Sequence, residues 1–571
     1  MNDGSPSVPI FVRRVLFTLL MLLVSSAYLP AAAADDPPAQ DDAPGLLLLA
    51  PDRGFLGNEQ VREVAAQARQ HASNIGLAFA TAHETESTLR EALSAVSGSE
   101  VVVLPLFLSE HHLLYQKAQT ALQAVEDRTI RWAEPFGTSY LAEEILFDRV
   151  ESHRENAENT HLIVAAAGAG STAEAEALRD AVAPMAERAA EKHGFAGGSV
   201  VVPASFFAPE GASGTLTSAA IDSVKSAASA HGQALVVPFH FGMKYTTMMS
   251  ATQSLRWRLQ RTEGVRIADE EVLPHANVAR WVRRTATRVR PLDPADVGVI
   301  AVPHGSHYTW NETMRSGLAP VTDDYAIAEA FSMVDPFVIE RAVRQLEAQG
   351  KKAAVMVRIF SMESSFRDKA EYILGLRSSF EGGMMGGAFP SRIRTHLQMT
   401  TLGGLEAHPL FAKALLDRAQ AESTDPSRET VILLAHGTGP DAANERWMNN
   451  LHTLADTMRA HGGDRFRDIK VHTWREDWPE KRKQTLPAIR KMVTEANAGE
   501  GTAIVIPART AAQGPAPDLI GDLDFRYGHG FAPHPLFADW LRQQIETGID
   551  RLTSSDDALR NTSASSASAS K

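Results

Sequence analysis

The 571-residue chain contains no cysteine. That absence excludes disulfides, thiolate metal sites and thiol catalysis. Stability must then come from apolar cores, and any metal must be held by His, carboxylate or Met. Long basic runs are also missing and the net charge is −13, so nucleic acid is not an expected partner and an anionic ligand would need a local basic pocket. There is no G-x-S-x-G, no P-loop and no H-E-x-x-H, which leaves a hydrolase-like or purely structural α/β protein as the weakest reading. Long apolar runs are lacking too: the run from Val15 to Val24 is short for a membrane span of about 20 residues.

What is present begins with targeting. Arg13 and Arg14 precede that apolar run, and Ala31 to Ala34 supply small residues for cleavage. Residues 1–34 are expected to be an export signal, and 35–44 a charged, Pro-rich linker. A periplasmic or secreted protein follows, with no stable membrane span after cleavage; N-terminal anchoring to the inner membrane is the alternative. The Ser/Ala-rich residues 553–571 are expected to be disordered. Over the whole chain, 44% hydrophobic and 22% charged residues describe a globular protein long enough for several cores.

Internal repeats organise that middle part. "LLLLAPDRG", "LIVAAAGAG", "VGVIAVPHG" and "VILLAHGTG" each run apolar into a turn, with Asp52, Ala167, His304 and His436 at the tips. Later strands "VVVLPLFL", "ALVVPFHF", "AAVMVRIF" and "AIVIPART" carry Pro105, Pro238, Arg358 and Pro507 in matching places. The spacing from tip to later strand alternates short, long, short, long, so the order is ABAB. The helical closings "GLEAHPLFAKALLDR" and "GFAPHPLFADWLRQQ" are plain kin; "FGTSYLAEEILFDR" and "VLPHANVARWVRR" are more distant. Two domains are expected: 45–291, with lobes 45–155 and 156–291, and 296–552, with lobes 296–424 and 425–552.

Short buried strands alternating with amphipathic stretches predict an α/β protein of βαβ units with parallel sheets. In "DPFVIERAVRQLEAQG", Asp335 and Pro336 start a helix, Val338, Ile339, Val343 and Leu346 line one face, and Gly350 ends it. Ligands of open parallel sheets bind beyond the carboxyl ends of the strands. The His-Gly tips lie on that edge.

The strand-to-His-Gly tips, "PLFLSEHH", "AEAFSMVDPFVIERAVRQL" and the "hPLFA..L..R" closings resemble the sirohydrochlorin cobaltochelatase and ferrochelatase family (CbiX/SirB type, class II chelatase fold). The resemblance spans most of residues 45–545 and is best in the third and fourth repeats. It implies four chelatase-like repeats paired into two bilobal domains, each with a cleft between its lobes. It also implies insertion of a divalent metal (Co, Fe or Ni) into a tetrapyrrole such as sirohydrochlorin, with no cofactor beyond that metal. The family's first histidine matches His304 and His436; Asp52 and Ala167 depart from it. His111, His112 and His240 resemble its second histidine, while Glu363, Arg509 and Gln513 stand nearby in the other repeats. Its acid after the middle strand is replaced by Thr81 and Met333. A non-catalytic periplasmic protein binding a metal or a tetrapyrrole is the alternative function.

Such chemistry needs neutral imidazoles that ligate a metal or accept a proton, and cations that meet carboxylates. The candidate catalytic residues are His304 and His436. The candidate metal ligands are these two with His111, His112 and His240. The candidate substrate-binding residues are Arg358, Arg509 and Lys244, with Lys117 similar. His307 reads as a polar loop residue, and His408 and His534 as helix-start residues. Asn311, Trp310, Asn444 and Trp447 read as packing or capping the first helices. The methionine stretches at 242–249 and 381–387 read as adaptable lids rather than soft-metal sites.

Overall fold

The structure is a computed structural model that describes residues 43–72, 74–246, 248–380 and 389–554. The expected export signal, most of the linker, the methionine stretch 381–387 and nearly all of the Ser/Ala-rich tail lie outside the described residues.

The first repeat contributes β1 (Gly45–Pro51), β2 (Ile75–Ala80), β3 (Glu100–Pro105) and β4 (Thr129–Trp132). The second has β5 (Thr160–Ala165), β6 (Gly197–Val201) and β7 (Gln233–Pro238), then a small antiparallel hairpin of β8 (Lys244–Thr246) and β9 (Met249–Ser250), then β10 (Val265–Ile267). The third has β11 (Val297–Pro303), β12 (Ile327–Glu329), β13 (Ala353–Ile359) and β14 (Gln398–Gly403). The fourth has β15 (Glu429–Ala435), β16 (Asp468–Thr473), β17 (Thr502–Pro507) and β18 (Arg526–Tyr527). The four repeats thus build four four-stranded sheets, each all parallel, in one spatial order: second, first, third, fourth. Helices cover both faces, so β1, β11 and β15 are buried along their whole length, β5 is buried except at His161, and all four read as near-continuous apolar runs.

The sequence signals account for the helices. Asp335 accepts from the N–H groups of Phe337 and Val338, Pro336 takes the first helical position, and Ile339, Ala342, Val343 and Leu346 are buried. Each repeat's closing helix starts from a side chain that accepts an N–H two residues on: Ser139, His275, His408 and His534. The two histidines expected at helix starts, His408 and His534, sit there with Nδ1 3.2 Å from the N–H nitrogens of Leu410 and Leu536.

Two cores fall between pairs of sheets. In the first half, closing helix 140–151 packs on helix 172–193 and on helix 276–288, which also meets helix 54–69. The second half repeats this plan: 409–421 packs on 441–460 and 535–553, and 308–318 meets 535–553. Each half is therefore two lobes sharing one core, with smaller apolar clusters on the outer sheet faces. The halves join at a polar seam. Tyr140 Oη donates to the Ile393 carbonyl at 2.8 Å, and Arg392 and Arg394 reach Glu143, Glu144 and Asp148.

Candidate functional site

In each sheet the strand order reverses between the first and third strands, and a crevice opens beyond their carboxyl ends. Asp52, His304 and His436 follow directly on β1, β11 and β15, and Ala167 lies two residues past β5. A side chain of the following helix pins each tip. Asn58 accepts from the N–H of Arg53, Glu174 from Gly170, Asn311 from Ser306 and Asn444 from Thr438, at 2.6–3.2 Å. Asn311 and Asn444, expected to pack or cap their helices, hold the tip turns instead: His307 caps helix 308–318, and helix 441–460 starts at Pro440 without a side-chain cap. Asn58 and Glu174 do the same work in the first two repeats, each less than two helical turns past its tip.

His304 and His436 have the same local geometry. Gly305 and Gly437 adopt φ +75° and +76°, a conformation that favours glycine. The turn brings the next carbonyl back to the ring: Nδ1 lies 2.7 Å from Gly305 O in one case and 2.8 Å from Gly437 O in the other. A carbonyl only accepts, so the ring proton of the neutral imidazole sits on Nδ1 and the lone pair on Nε2. His304 is exposed, with the Phe360 ring edge-on at 6.3 Å. His436 is half-buried. Trp447 stacks beside it at 6.2 Å, Trp478 stands edge-on at 6.1 Å, and Asp477 Oδ2 lies 3.2 Å from its Nε2.

The "WREDW" stretch after β16 supplies this surround. Glu476 N–H donates to the His436 carbonyl at 3.1 Å, fixing the turn against the tip. Glu476 also pairs with Arg509 at 3.3 Å. The fourth repeat thus places two acids, Glu476 and Asp477, just after its second strand, where Thr81 and Met333 stand in repeats one and three. Near these tips the third and fourth repeats touch: Met362 Sδ is 3.5 Å from Asn450 Nδ2, and Asn450 also bonds Glu406.

The first half is arranged differently. His112 and His240 are both buried, and burial, the larger cause, pushes each down to about 4; the charge of His240 adds to this at His112. His112 Nδ1 accepts from Leu114 N–H at 3.1 Å and His240 Nδ1 from Gly242 N–H at 3.0 Å. The neutral rings therefore carry their proton on Nε2, the reverse of His304 and His436, and offer no lone pair there to a metal. The His112 ring lies on Gly168, where a Cβ would come within 2.0 Å of its Cδ2, and Leu113 N–H donates to Gly168 O. The β8–β9 hairpin closes the crevice from the second lobe. Lys244 N–H donates to Arg53 O at 2.6 Å, and Met243 Sδ stands 2.7 Å from the Cβ position of Gly54. What remains among Asp52, His112, Gly168, Phe206, Phe207 and Met243 is a cavity of ≈ 20 Å³, room for about one water.

The other expected residues are placed as follows. Arg358 is buried and donates to the carbonyls of Glu363 and Ser365 at 2.6 and 2.9 Å, which turns its guanidinium inward rather than to a ligand. Lys244 Nζ lies 3.5 Å from Glu271, which also pairs with the buried Arg53. Lys117 bonds the Ala82 carbonyl. His307 caps helix 308–318. His111 is half-buried, with its backbone N–H on Ser109. The 242–249 methionines belong to the hairpin, with Met243 inside and Met248 and Met249 exposed. Among the described residues no three His, Asp or Glu side chains converge as a metal-ligand group, and no helix is long and apolar enough to cross a membrane.

The CbiX family model matches residues 53–153. This corrects the expectation that the likeness would be best in the third and fourth repeats: the match falls on the first, which carries "PLFLSEHH". None of the curated proteins compared with the chain matches it. A solved multi-domain protein from Deinococcus radiodurans, described as structurally similar to chelatases with two additional novel domains, aligns at 19% identity with a TM-score of 0.32. The alignment covers 44% of this chain and 55% of that one, so the chain spans about half the length of that structure.

Proposed function

We propose that the protein inserts a divalent metal ion (Co, Fe or Ni) into a tetrapyrrole such as sirohydrochlorin, and that the second half does the chemistry. The observation that carries this reading is the shared geometry of His304 and His436, whose Nδ1 protons are tied to glycine carbonyls so that Nε2 is left for a metal or a proton. The family match over residues 53–153 supports the reaction class.

Insertion replaces two pyrrole N–H protons with one divalent cation. His304, open to solvent and with no carboxylate at its Nε2 among the described residues, suits the incoming metal as a neutral ligand. His436 suits the two protons, taken one at a time and passed on to solvent between them, because Asp477 stands where a second ring proton would be held. Trp447 and Trp478 offer flat faces for a conjugated macrocycle, and Arg509 lies at the same rim, paired with Glu476. The first half acts as a structural partner: its crevice is closed and its histidines are dry. The Arg13-to-Ala34 pattern supports export as the setting.

The test is spectroscopic. Sirohydrochlorin and cobalt(II) are mixed with the purified protein and the absorption bands followed. Metal-dependent turnover that His304→Ala and His436→Ala abolish, and His112→Asn spares, is the expected result. Turnover unchanged in both alanine variants would overturn the assignment. A stoichiometric band shift without turnover would instead support the non-catalytic binding reading.

A further inference from the structure

A second cavity lies at the opposite edge of the sheets, where the strands begin. It has ≈ 280 Å³ and sits between helix 276–288 of the first half and the end of helix 336–348 in the second. Its polar lining is mostly basic: Arg283, Arg290, Lys351 and Lys352 with the imidazoles of His71 and His396. The one acid in the lining, Glu347, is already engaged by Thr395 at 2.7 Å, Arg344 at 2.6 Å and His396 at 3.1 Å. Lys352 is taken by Asp296, and Lys351 by the Ala295 carbonyl. Arg283, half-buried, makes no hydrogen bond or ion pair through its guanidinium among the described residues. Burial, then Arg283 and His396, push the pKa of His71 down, as expected where positive charge outweighs negative.

A chain with a net charge of −13 has no general need for such a concentration of cations. Glu347 is the charge partner of Arg283 but already holds Thr395, Arg344 and His396, and no carboxylate bonds the Arg283 guanidinium directly among the described residues. Such a half-buried guanidinium is a ready bidentate partner for an oxyanion. We infer that this cavity binds a small, multiply charged oxyanion, a phosphate or polycarboxylate, with Arg283 as its anchor and His71, His396 and Lys351 around it. The volume is at the small end of ligand pockets, which run from about 300 Å³; that fits such an ion and excludes a macrocycle. Because the cavity is walled by both halves, its occupant ties them together and stabilises the folded chain in proportion to its concentration.

Titration calorimetry and thermal melts on the full chain test this with inorganic phosphate, pyrophosphate and citrate, at ionic strength held constant with chloride. At least one probe should bind saturably at one site, with Kd below about 1 mM, and should raise the melting temperature; which probe does so separates the phosphate source from the carboxylate one. Arg283→Gln should weaken that binding by about tenfold or more and abolish the thermal shift. Should that variant not fold, Lys351→Gln with His396→Gln replaces it and carries the same expectation. Absence of saturable binding with all three probes, or binding that the folded variant leaves unchanged, would overturn the inference.

Discussion

Arg392 Nε lies 2.8 Å from Glu144 Oε1 across the seam between the halves, with both side chains cut off from solvent. Glu143 bonds the same guanidinium, and the Tyr372 and Phe147 rings flank it at 5.0 and 5.3 Å. Such a pair gives up hydration on both sides, and removal of Arg392 strips a partner from two buried carboxylates at once, leaving Glu143 to Arg188 and Glu144 to Arg394. Arg392→Ala should lower the unfolding free energy by about 3–5 kcal/mol. Arg392→Met combined with Glu143→Gln and Glu144→Gln should cost much less. Urea unfolding followed by tryptophan fluorescence checks both.

Acid should weaken the fold through His112 and His240. Each sits at about 4 in the folded chain, below the unfolded value of about 6.5. Unfolding lets the rings take up protons that the fold excludes. Their contribution is therefore complete above about pH 6.5, falls as the pH drops toward about 4, and then levels off, at about 3 kcal/mol per ring. Burial of His161, His193, His408 and His534 tilts the curve the same way. Asp148 and Glu347 are held at about 2 by their hydrogen-bond partners despite burial, so their contribution is lost as the pH falls from their ordinary carboxylate values toward about 2, at and below the acid end of this window. Stability measured from pH 7 to pH 4 should drop steeply in the natural chain and less steeply in the His112→Asn/His240→Asn variant.

Alanine should be tolerated differently at the two His-Gly turns. At Gly437 a Cβ would lie 2.8 Å from both Asn444 Oδ1 and Thr473 Cβ; at Gly305 its nearest neighbour would be Phe331 backbone at 3.3 Å. Both substitutions force a left-handed residue. Gly305→Ala should therefore cost about 1 kcal/mol and Gly437→Ala about 3 kcal/mol, read from thermal melts of the two variants side by side.

Asp477→Asn separates the two histidines. It keeps the size of the group beside His436 Nε2 but removes the charge that would hold a second proton there. Turnover should fall by about a hundredfold and its pH profile should flatten, while the affinity for the metal-free macrocycle stays within about twofold. A variant with the natural profile would remove Asp477 from the proton path.

The four tips are legible in the sequence because a strand covered on both faces must be apolar throughout and must then turn. The turn residues of Asp52-Arg53-Gly54, His304-Gly305 and His436-Gly437 mark that point. The helix caps at Asp335, His408 and His534 are legible for the same local reason. What surrounds His436 is harder to read. Trp447 arrives from the next helix and Trp478 from a loop after the edge strand, and their meeting depends on strand order. The opposite protonation of His112 and His436 is not encoded by residue type at all. It follows from whether a backbone N–H or a backbone C=O happens to face Nδ1. Arg358 misleads for a related reason: its place at a strand end matches a rim residue, but the loop after β13 folds back and offers it carbonyls.

The contact of His112 with Gly168 sets a one-way condition on the first half. The ring fits only because position 168 has no side chain, and the hairpin over Gly54 fits only because position 54 has none. Reopening that crevice would require the ring, the hairpin and the neighbouring phenylalanines to move together. Single substitutions along such a path would each leave a void or a clash, so the first half is held shut by the number of simultaneous changes that undoing it would take.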